Sequence, residues 1–290
     1  MDAPTFDLQS HSIHSDGALE PAAVVAAAAA AGVELLSLTD HDSTDGLTEA
    51  AEAAAGLGIA FVPGVEISTL DPAAKDLHVC GYLISPASAA LGEQLRHSRA
   101  DREERAARMA ARLTELDWTI DQDLLDARIA AGKAIGRPHL AEAAFKHPAN
   151  ARRLANEQLS DPSELLVAYL IEGKPAFVPR SAPSVVEAIE LIHDAGGVAI
   201  WAHPFWDIDA GPEVLDTLDR FAAAGLDGVE AFYVTHTREQ TELLVARCQQ
   251  LGLLTTGSSD FHGPHHQRFN RFRAFQTFGL EPNLGPLLKV

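Results

Sequence analysis

Compact apolar runs alternate with alanine-rich or amphipathic stretches in the first and last thirds of the chain. Residues 5–8, 33–38, 59–65 and 77–83 are apolar runs of strand length. Between the first two, Glu20-Pro21 opens a helix and Gly32 closes it. Between the second and third, residues 45–56 read as helical, with Gly56 or Gly58 as the stop. From about 86 to 173 there is no strand pattern. A long arginine-rich helix over 91–116 is followed there by helical stretches at 121–131, 139–145 and 162–170. The alternation then resumes. Residues 176–179 read as a short extended piece, 184–195 as a helix with Ser184 as its N-cap, and 197–202 as a strand. A helix over 211–225, a strand over 228–231, a helix over 237–251 and a last strand over 253–257 complete the pattern. Strands alternating with helices predict parallel βα units, and the block in the middle reads as an α-helical insertion between them.

With 290 residues the chain can bury roughly three quarters of its unfolded surface. A hydrophobic fraction of 47% with 22% charged residues is that of a globular protein. The formal charge of −19 argues against a duplex-DNA or anionic-membrane partner. It leaves room for a small phosphorylated substrate where divalent cations invert the local field. The two cysteines, Cys80 and Cys248, provide neither a disulfide framework nor a thiolate zinc site, and Cys80 reads as a buried free thiol. The apolar run at 22–31 is too short for a membrane span, and a cytoplasmic protein is expected.

The polar residues that follow these runs carry the candidate chemistry. His11 and Asp16 follow the first strand, and His41 follows the second within Thr39-Asp40-His41-Asp42. Glu66 ends the third and His78 lies near the start of the fourth. His203 follows the strand at 197–202, and Asp260 with His262 follows the last. Ligand groups collect in this way at the carboxyl ends of barrel and open-sheet strands, so a multinuclear metal site is expected. Asp40 and Asp42 either orient the His41 ring or cap its turn. Phe205 and Trp206 either wall a base pocket or pack in the core. His14, His97, His147, His193, His236, His265 and His266 match no such position and read as surface or packing residues. The arginines at 96, 99, 102, 105, 108 and 112 drift around their helix, which suggests a solvated face for most of them.

His11 with Asp16-Gly17, Thr39-Asp40-His41-Asp42, Gly64-Val65-Glu66-Ile67-Ser68, His78, Ala202-His203-Pro204 and Gly257-Ser258-Ser259-Asp260-Phe261-His262 resemble, in order, the motifs of the PHP (polymerase and histidinol phosphatase) family. The resemblance spans nearly the whole chain. It implies a distorted (β/α)7 TIM-like barrel formed by 1–85 and 175–290, with an inserted α-helical cap domain over 86–174. It further implies a metal-dependent phosphoesterase with two or three divalent ions: manganese, with Fe2+ or Zn2+ as alternatives. Gln9, His11, Glu66 and Asp260 would hold the first ion. Glu66, His78 and His203 would hold the second, with Glu66 bridging, and Asp16, His41 and His262 the third. The family usually has His-x-His where this chain has Gln9-Ser10-His11, and a glutamine carbonyl is the weaker donor.

Glu66, His203 and Asp260 are the expected catalytic residues. Two cations about 3.5–4 Å apart would bridge a hydroxide for in-line attack on the phosphoryl group. Gly136-Arg137-Pro138-His139 and Gly173-Lys174-Pro175 resemble signatures of the subgroup acting on nucleotides. Arg137, His139, Lys174 and Arg180 are therefore the candidate phosphate contacts, with Arg102 and Arg105 as weaker ones. The implied substrate is a small nucleotide, with release of the 3′-phosphate of a nucleoside 3′,5′-bisphosphate. One alternative is a 5′→3′ exoribonuclease on short 5′-phosphorylated RNA. Another is a degenerate barrel that binds a nucleotide or metal without turnover. The sequence does not indicate an oligomeric state.

Overall fold

The structure, a computed structural model, describes residues 4–71, 76–130 and 135–290. It divides into two units. One joins the chain up to Arg96 with Ala182–Val290, and the other is His97–Ser181.

In the first unit the apolar runs form β1 (Phe6–Asp7), β2 (Leu35–Leu38), β3 (Ala60–Leu70), β4 (Asp76–Tyr82), β5 (Val198–Trp201), β6 (Gly228–Tyr233) and β7 (Leu254–Ser258). Their order in the sheet is their order in the chain. The sheet nearly closes on itself, because Leu8 N donates to Gly257 O at 3.2 Å and His11 N to Phe261 O at 2.8 Å. The buried Asp7 carboxylate reinforces the seam, accepting from the backbone N of Ser259 and of Arg273, each at 2.8 Å. Helices α1 (Pro21–Ala30), α2 (Leu47–Leu57), α8 (Val185–Asp194), α9 (Pro204–Asp207), α10 (Gly211–Ala223) and α11 (Arg238–Leu251) belong to this unit. Ser184 caps α8 as expected, its Oγ accepting from Glu187 N while Glu187 accepts from Ser184 N.

The architecture is the expected distorted barrel, with one correction to its topology. β4 runs antiparallel to both β3 and β5, whereas the other neighbours are parallel. A parallel crossover takes a dozen or more residues, and β3 and β4 are separated only by residues 71–75. β3 also continues past its expected end, so Glu66 stands within the strand, opposite Cys80. Side chains alternate between the two faces of a strand. Val62 and Glu66 therefore share one face of β3, and His78, Cys80 and Tyr82 share one face of β4. Leu8, Val62, Cys80, Tyr82, Ile200 and Ala202 form a single apolar cluster on that face. Leu36, Val65, Ile67, Val79 and Trp201, on the other face, pack with the helices. The polar site is thus continuous with the apolar filling of the barrel. Cys80 and Cys248 are both buried free thiols.

In the second unit, Met109 and Leu113 of α3 (Ala89–Glu115) cluster with Trp118, Leu125 of α4 (Gln122–Ala130), Leu140 of α5 (Arg137–Lys146), Leu154 of α6 (Ala151–Glu157) and Leu165 of α7 (Pro162–Tyr169). The boundaries differ from the expected 86 and 174. Leu91 and Leu95, in the first turns of α3, belong to the barrel's own core. The 3₁₀ turn Pro148–Asn150 and α6 lie where no element was expected. Buried Asn150 fixes them, accepting from Thr119 N and donating to Thr119 O and Ala144 O. Among the described residues, the expected extended piece at 176–179 pairs with no strand. Their carbonyls are held instead by α3, with Arg105 Nε donating to Val178 O at 2.7 Å and Arg112 donating to Phe177 O. Arg105 is partly buried in this clamp, while Arg112 makes its bond from the exposed face of the helix. The expected helix over 121–131 ends on a residue outside the described ones. Among the described residues no helix is long and apolar enough to cross a membrane.

Candidate metal centre

The loop after β1 is built around Asp40. Its Oδ1 accepts from Ser12 N and Ser15 Oγ, each at 2.7 Å, and its Oδ2 accepts from Ser12 Oγ at 2.6 Å. Gly17 closes the loop against its own backbone, where a Cβ would lie 2.2 Å from the His11 carbonyl oxygen. No other residue fits there. Asp40 therefore positions the segment carrying His11 and Asp16, while Asp42 Oδ1 accepts from Ser68 N at 3.0 Å. The Asp40→Ala protein leaves the buried Ser12 N–H without a partner. We expect it to lose about 1–3 kcal/mol of stability and about 10–100-fold in metal affinity. A thermal melt and a manganese titration on the same protein measure both.

In the turns that carry the candidate donors, Asp42 (φ 51°), His203 (φ 31°) and Asp260 (φ 52°) adopt left-handed backbone. Such residues carry strain that the surroundings must hold. For His203 the support is Glu230, a buried β6 carboxylate that accepts from His203 N at 2.9 Å and from Ser258 Oγ. Burial pushes Glu230 up to about 8. For Asp260 it is Tyr233, whose hydroxyl donates to Oδ2 at 2.7 Å. Neither Glu230 nor Tyr233 figures among the expected site residues. The signal for Glu230 was a single carboxylate inside the apolar run Gly228-Val229-Glu230-Ala231.

Glu66 is the hub. Its Oε1 lies 2.7 Å from His78 Nδ1 and 3.1 Å from His203 Nε2. Its Oε2 accepts from Gln9 Nε2 at 2.8 Å and lies 3.1 Å from His11 Nε2 and 3.5 Å from His41 Nδ1. His11 Nε2 is also 3.0 Å from Asp260 Oδ1. Asp16 faces His262 Nε2 at 3.3 Å and His41 Nε2 at 3.7 Å. The structure thus brings together all nine residues expected from the barrel. Three groups have mutually close donor atoms: His11, Glu66 and Asp260; His41, Glu66 and His78; and His11, Asp16, His41 and His262. The grouping departs from expectation in two respects. His41 stands between two groups, taking the expected place of His203 beside Glu66 and His78, and His11 joins Asp16, His41 and His262 as well as Glu66 and Asp260.

The electrostatics follow from burial against opposite charge. Burial alone would push His203 down, but the Glu66 carboxylate outweighs it and raises it to about 9. His11 is raised likewise by Asp260 and Glu66, against its own burial. For His41 burial wins over Glu66 and Asp16 and lowers it to about 4. Burial works against ionised Glu66, yet His41, His78 and its hydrogen bonds hold it well below the ordinary carboxylate range.

These residues fit divalent cations. His11 Nε2, His41 Nδ1, Asp260 Oδ1 and Gln9 Oε1 are buried atoms that make no hydrogen bond. Buried polar atoms are ordinarily hydrogen-bonded, and four atoms without a hydrogen bond in the cluster around Glu66 and Asp260, three of them facing charged neighbours, are what a bound cation would satisfy. With nitrogen and oxygen donors only, the set is able to hold manganese, iron or zinc. The remaining candidates belong to the second unit. Arg137 begins α5, His139 Nδ1 accepts from Gly136 N at 2.9 Å as its cap, Lys174 is exposed in the turn after α7, and Arg180 follows at 180.

Known proteins share this plan. The family model described as the PHP domain matches residues 7–143. Over 261 residues the chain is 36% identical to the 3′,5′-nucleoside bisphosphate phosphatase of Chromobacterium violaceum, covering 89% of this chain and 87% of that protein. It is 34% identical over 260 residues to a 5′-3′ exoribonuclease of Haemophilus influenzae, covering 89% and 90%. The crystal structure of a candidate metal-dependent phosphoesterase from Bifidobacterium adolescentis matches with a TM-score of 0.75 at 28% identity, covering 99% of this chain and 96% of that one. Likeness of this extent, in sequence and in fold, is that of common descent, and the chain belongs to the PHP family of hydrolytic phosphoesterases.

Proposed function

We propose that the protein hydrolyses a phosphomonoester of a small nucleotide, with the 3′-phosphate of a nucleoside 3′,5′-bisphosphate as the preferred target. Glu66 carries this reading. Both of its oxygens are buried and faced by imidazoles, His78 and His203 on one side and His11 and His41 on the other. A carboxylate so placed serves two cations at once. In this reading His11, Glu66 and Asp260 hold the first ion, Glu66, His78 and His203 the second, and Asp16, His41 and His262 the third, with manganese as the preferred metal. Gln9 then acts mainly by donating to Glu66, since its amide nitrogen is the atom turned towards it. Bound divalent cations neutralise phosphoryl oxygens and bring the pKa of a water towards neutrality.

The chain's own residues do the positioning. Tyr233 fixes Asp260, Glu230 fixes the turn of His203, and Asp40 fixes the loop of His11. Arg137, His139, Lys174 and Arg180 supply phosphate contacts in this reading. The Chromobacterium relative, whose name states this activity, supports the choice of substrate.

The Haemophilus relative favours a second reading, trimming of short 5′-phosphorylated RNA. The charge of −19 leans towards the smaller substrate, because long strands reward a basic groove. Phosphate release from adenosine 3′,5′-bisphosphate with added Mn2+, beside the length of a labelled 5′-phosphorylated oligoribonucleotide, separates the two. We expect release from the bisphosphate. No release, alongside shortening of the oligonucleotide or brisk release from histidinol phosphate, overturns the first reading. Manganese binding without any turnover identifies a degenerate barrel.

A further inference from the structure

We propose that Trp206, with Arg268 and Phe269, forms a stacking shelf for an aromatic base, so that the enzyme selects phosphate esters that carry a nucleobase. The proposal rests on the nucleotide phosphatase reading for what lies in the metal centre, and it deepens that reading by naming how the base is held.

The chain has three tryptophans. Trp118 and Trp201 are 1% and 0% exposed, whereas Trp206 is 47% exposed. A lone exposed apolar residue means little, but Trp206 does not stand alone. Its ring lies 5.7 Å from that of Phe269 and 6.5 Å, edge-on, from that of Tyr233. The guanidinium of Arg268 sits 5.5 Å from the indole ring centre.

This group leads directly into the metal centre. Phe269 lies 5.4 Å from the His262 ring, and Tyr233 lies 5.4 Å from the His203 ring. Tyr233 also donates to Asp260. The exposed indole is therefore one ring removed from two of the proposed ligands, on the same unit of the chain.

The shelf is also held in place. Trp206 lies on α9, three residues after His203, and its backbone N donates to His203 O at 2.8 Å. The His203 turn is itself anchored by Glu230. Phe269 and Tyr233 are buried with the indole packed against them, while the indole itself keeps nearly half its surface in water. A broad π face beside a guanidinium is the pair that binds nucleobases with little regard to which base is present. A nucleotide whose phosphate occupies the cluster carries its base one sugar away, which is where this shelf stands.

The test uses adenosine 5′-monophosphate, which lacks the 3′-phosphate, and ribose 5-phosphate, which lacks the base. Trp118 and Trp201 also emit, so the quenching that is present in the wild-type protein and absent from Trp206→Leu is the part that reports on Trp206. We expect the monophosphate to quench and the ribose phosphate to leave the emission unchanged. In the Trp206→Leu protein, the KM for adenosine 3′,5′-bisphosphate should rise roughly tenfold, with kcat within about twofold and inhibition by inorganic phosphate unchanged. An unquenched emission at monophosphate concentrations that inhibit the enzyme, or an unchanged KM in the variant, overturns the shelf while leaving the phosphatase reading intact. If the wild-type protein released no phosphate from any nucleotide, the phosphatase reading would fall, and the quenching comparison would still decide the shelf. Should Trp206→Leu lose its sensitivity to inorganic phosphate, Trp206→Phe in the same assays keeps the comparison, with a smaller KM change expected.

Discussion

The Glu66→Gln protein is expected to release phosphate from adenosine 3′,5′-bisphosphate at least about 100-fold more slowly than wild type, and to bind markedly less manganese. Losing a residue that merely orients a ligand costs about 10–100-fold, and Glu66 is in contact with donors on both of its oxygens. Glutamine keeps the volume but halves the acceptor capacity and removes the charge. Its NH2 must face either His78 and His203 or the Gln9 amide, and Gln9 already presents a donor there. With its NH2 towards Gln9 the side chain meets a donor, and with its NH2 towards His78 and His203 it competes with a cation for their ring nitrogens. The two readouts belong together. A slow enzyme with full metal content would assign Glu66 to the reaction and not to the ions. Full activity with full metal content would remove Glu66 from the site altogether.

Much of this centre was legible because its donors follow short apolar runs. A run that ends in His, Asp or Glu stands out when the next residues are polar, and His11, His41, His203 and Asp260 all do so. Their convergence needed no long-range information beyond the barrel itself. Glu66 and His78 were legible as residues but not in their placement. Taking β3 to end at 65 hid the fact that Glu66 lies within a hairpin-like pair and faces His78 across it. The missing signal was connection length, since even the expected gap of 66–76 is too short for a parallel crossover.

Other features escaped for a different reason. Glu230 and Tyr233 lie within apolar β6, and nothing local marks a strand-interior carboxylate as the support of a turn 27 residues earlier. Arg105 and Arg112 look solvated on a helix that also carries acidic neighbours. Their partners are backbone carbonyls 73 and 65 residues away, which no periodicity reveals. Asn150 is similar, because its burial depends on Thr119 and Ala144. Chemistry carried at strand ends is thus readable from pattern, while the side chains that hold it in place depend on tertiary contacts.

Chelation of divalent cations is expected to abolish phosphate release and to lower the melting temperature, with Mn2+ restoring both. The centre gathers five imidazoles, from His11, His41, His78, His203 and His262, around the carboxylates of Asp16, Glu66 and Asp260. Four of the surrounding buried atoms make no hydrogen bond. A cation bound by the folded protein alone adds about 2.7 kcal/mol when present at a hundred times its dissociation constant. For a protein of 290 residues that corresponds to a rise of about 4–5 °C. The Gln9→His protein sharpens the test at the first ion. Imidazole is the better donor for manganese, iron and zinc, and a ring N–H can replace the bond that Gln9 now gives to Glu66. Histidine at this position should therefore lower the concentration of Mn2+ needed for half-maximal stabilisation, with the fold unchanged. A chelated protein that melts and turns over as before would show that the cluster is a buried ion-pair network. A Gln9→His protein with the same manganese midpoint would show that residue 9 serves Glu66 and never reaches the metal.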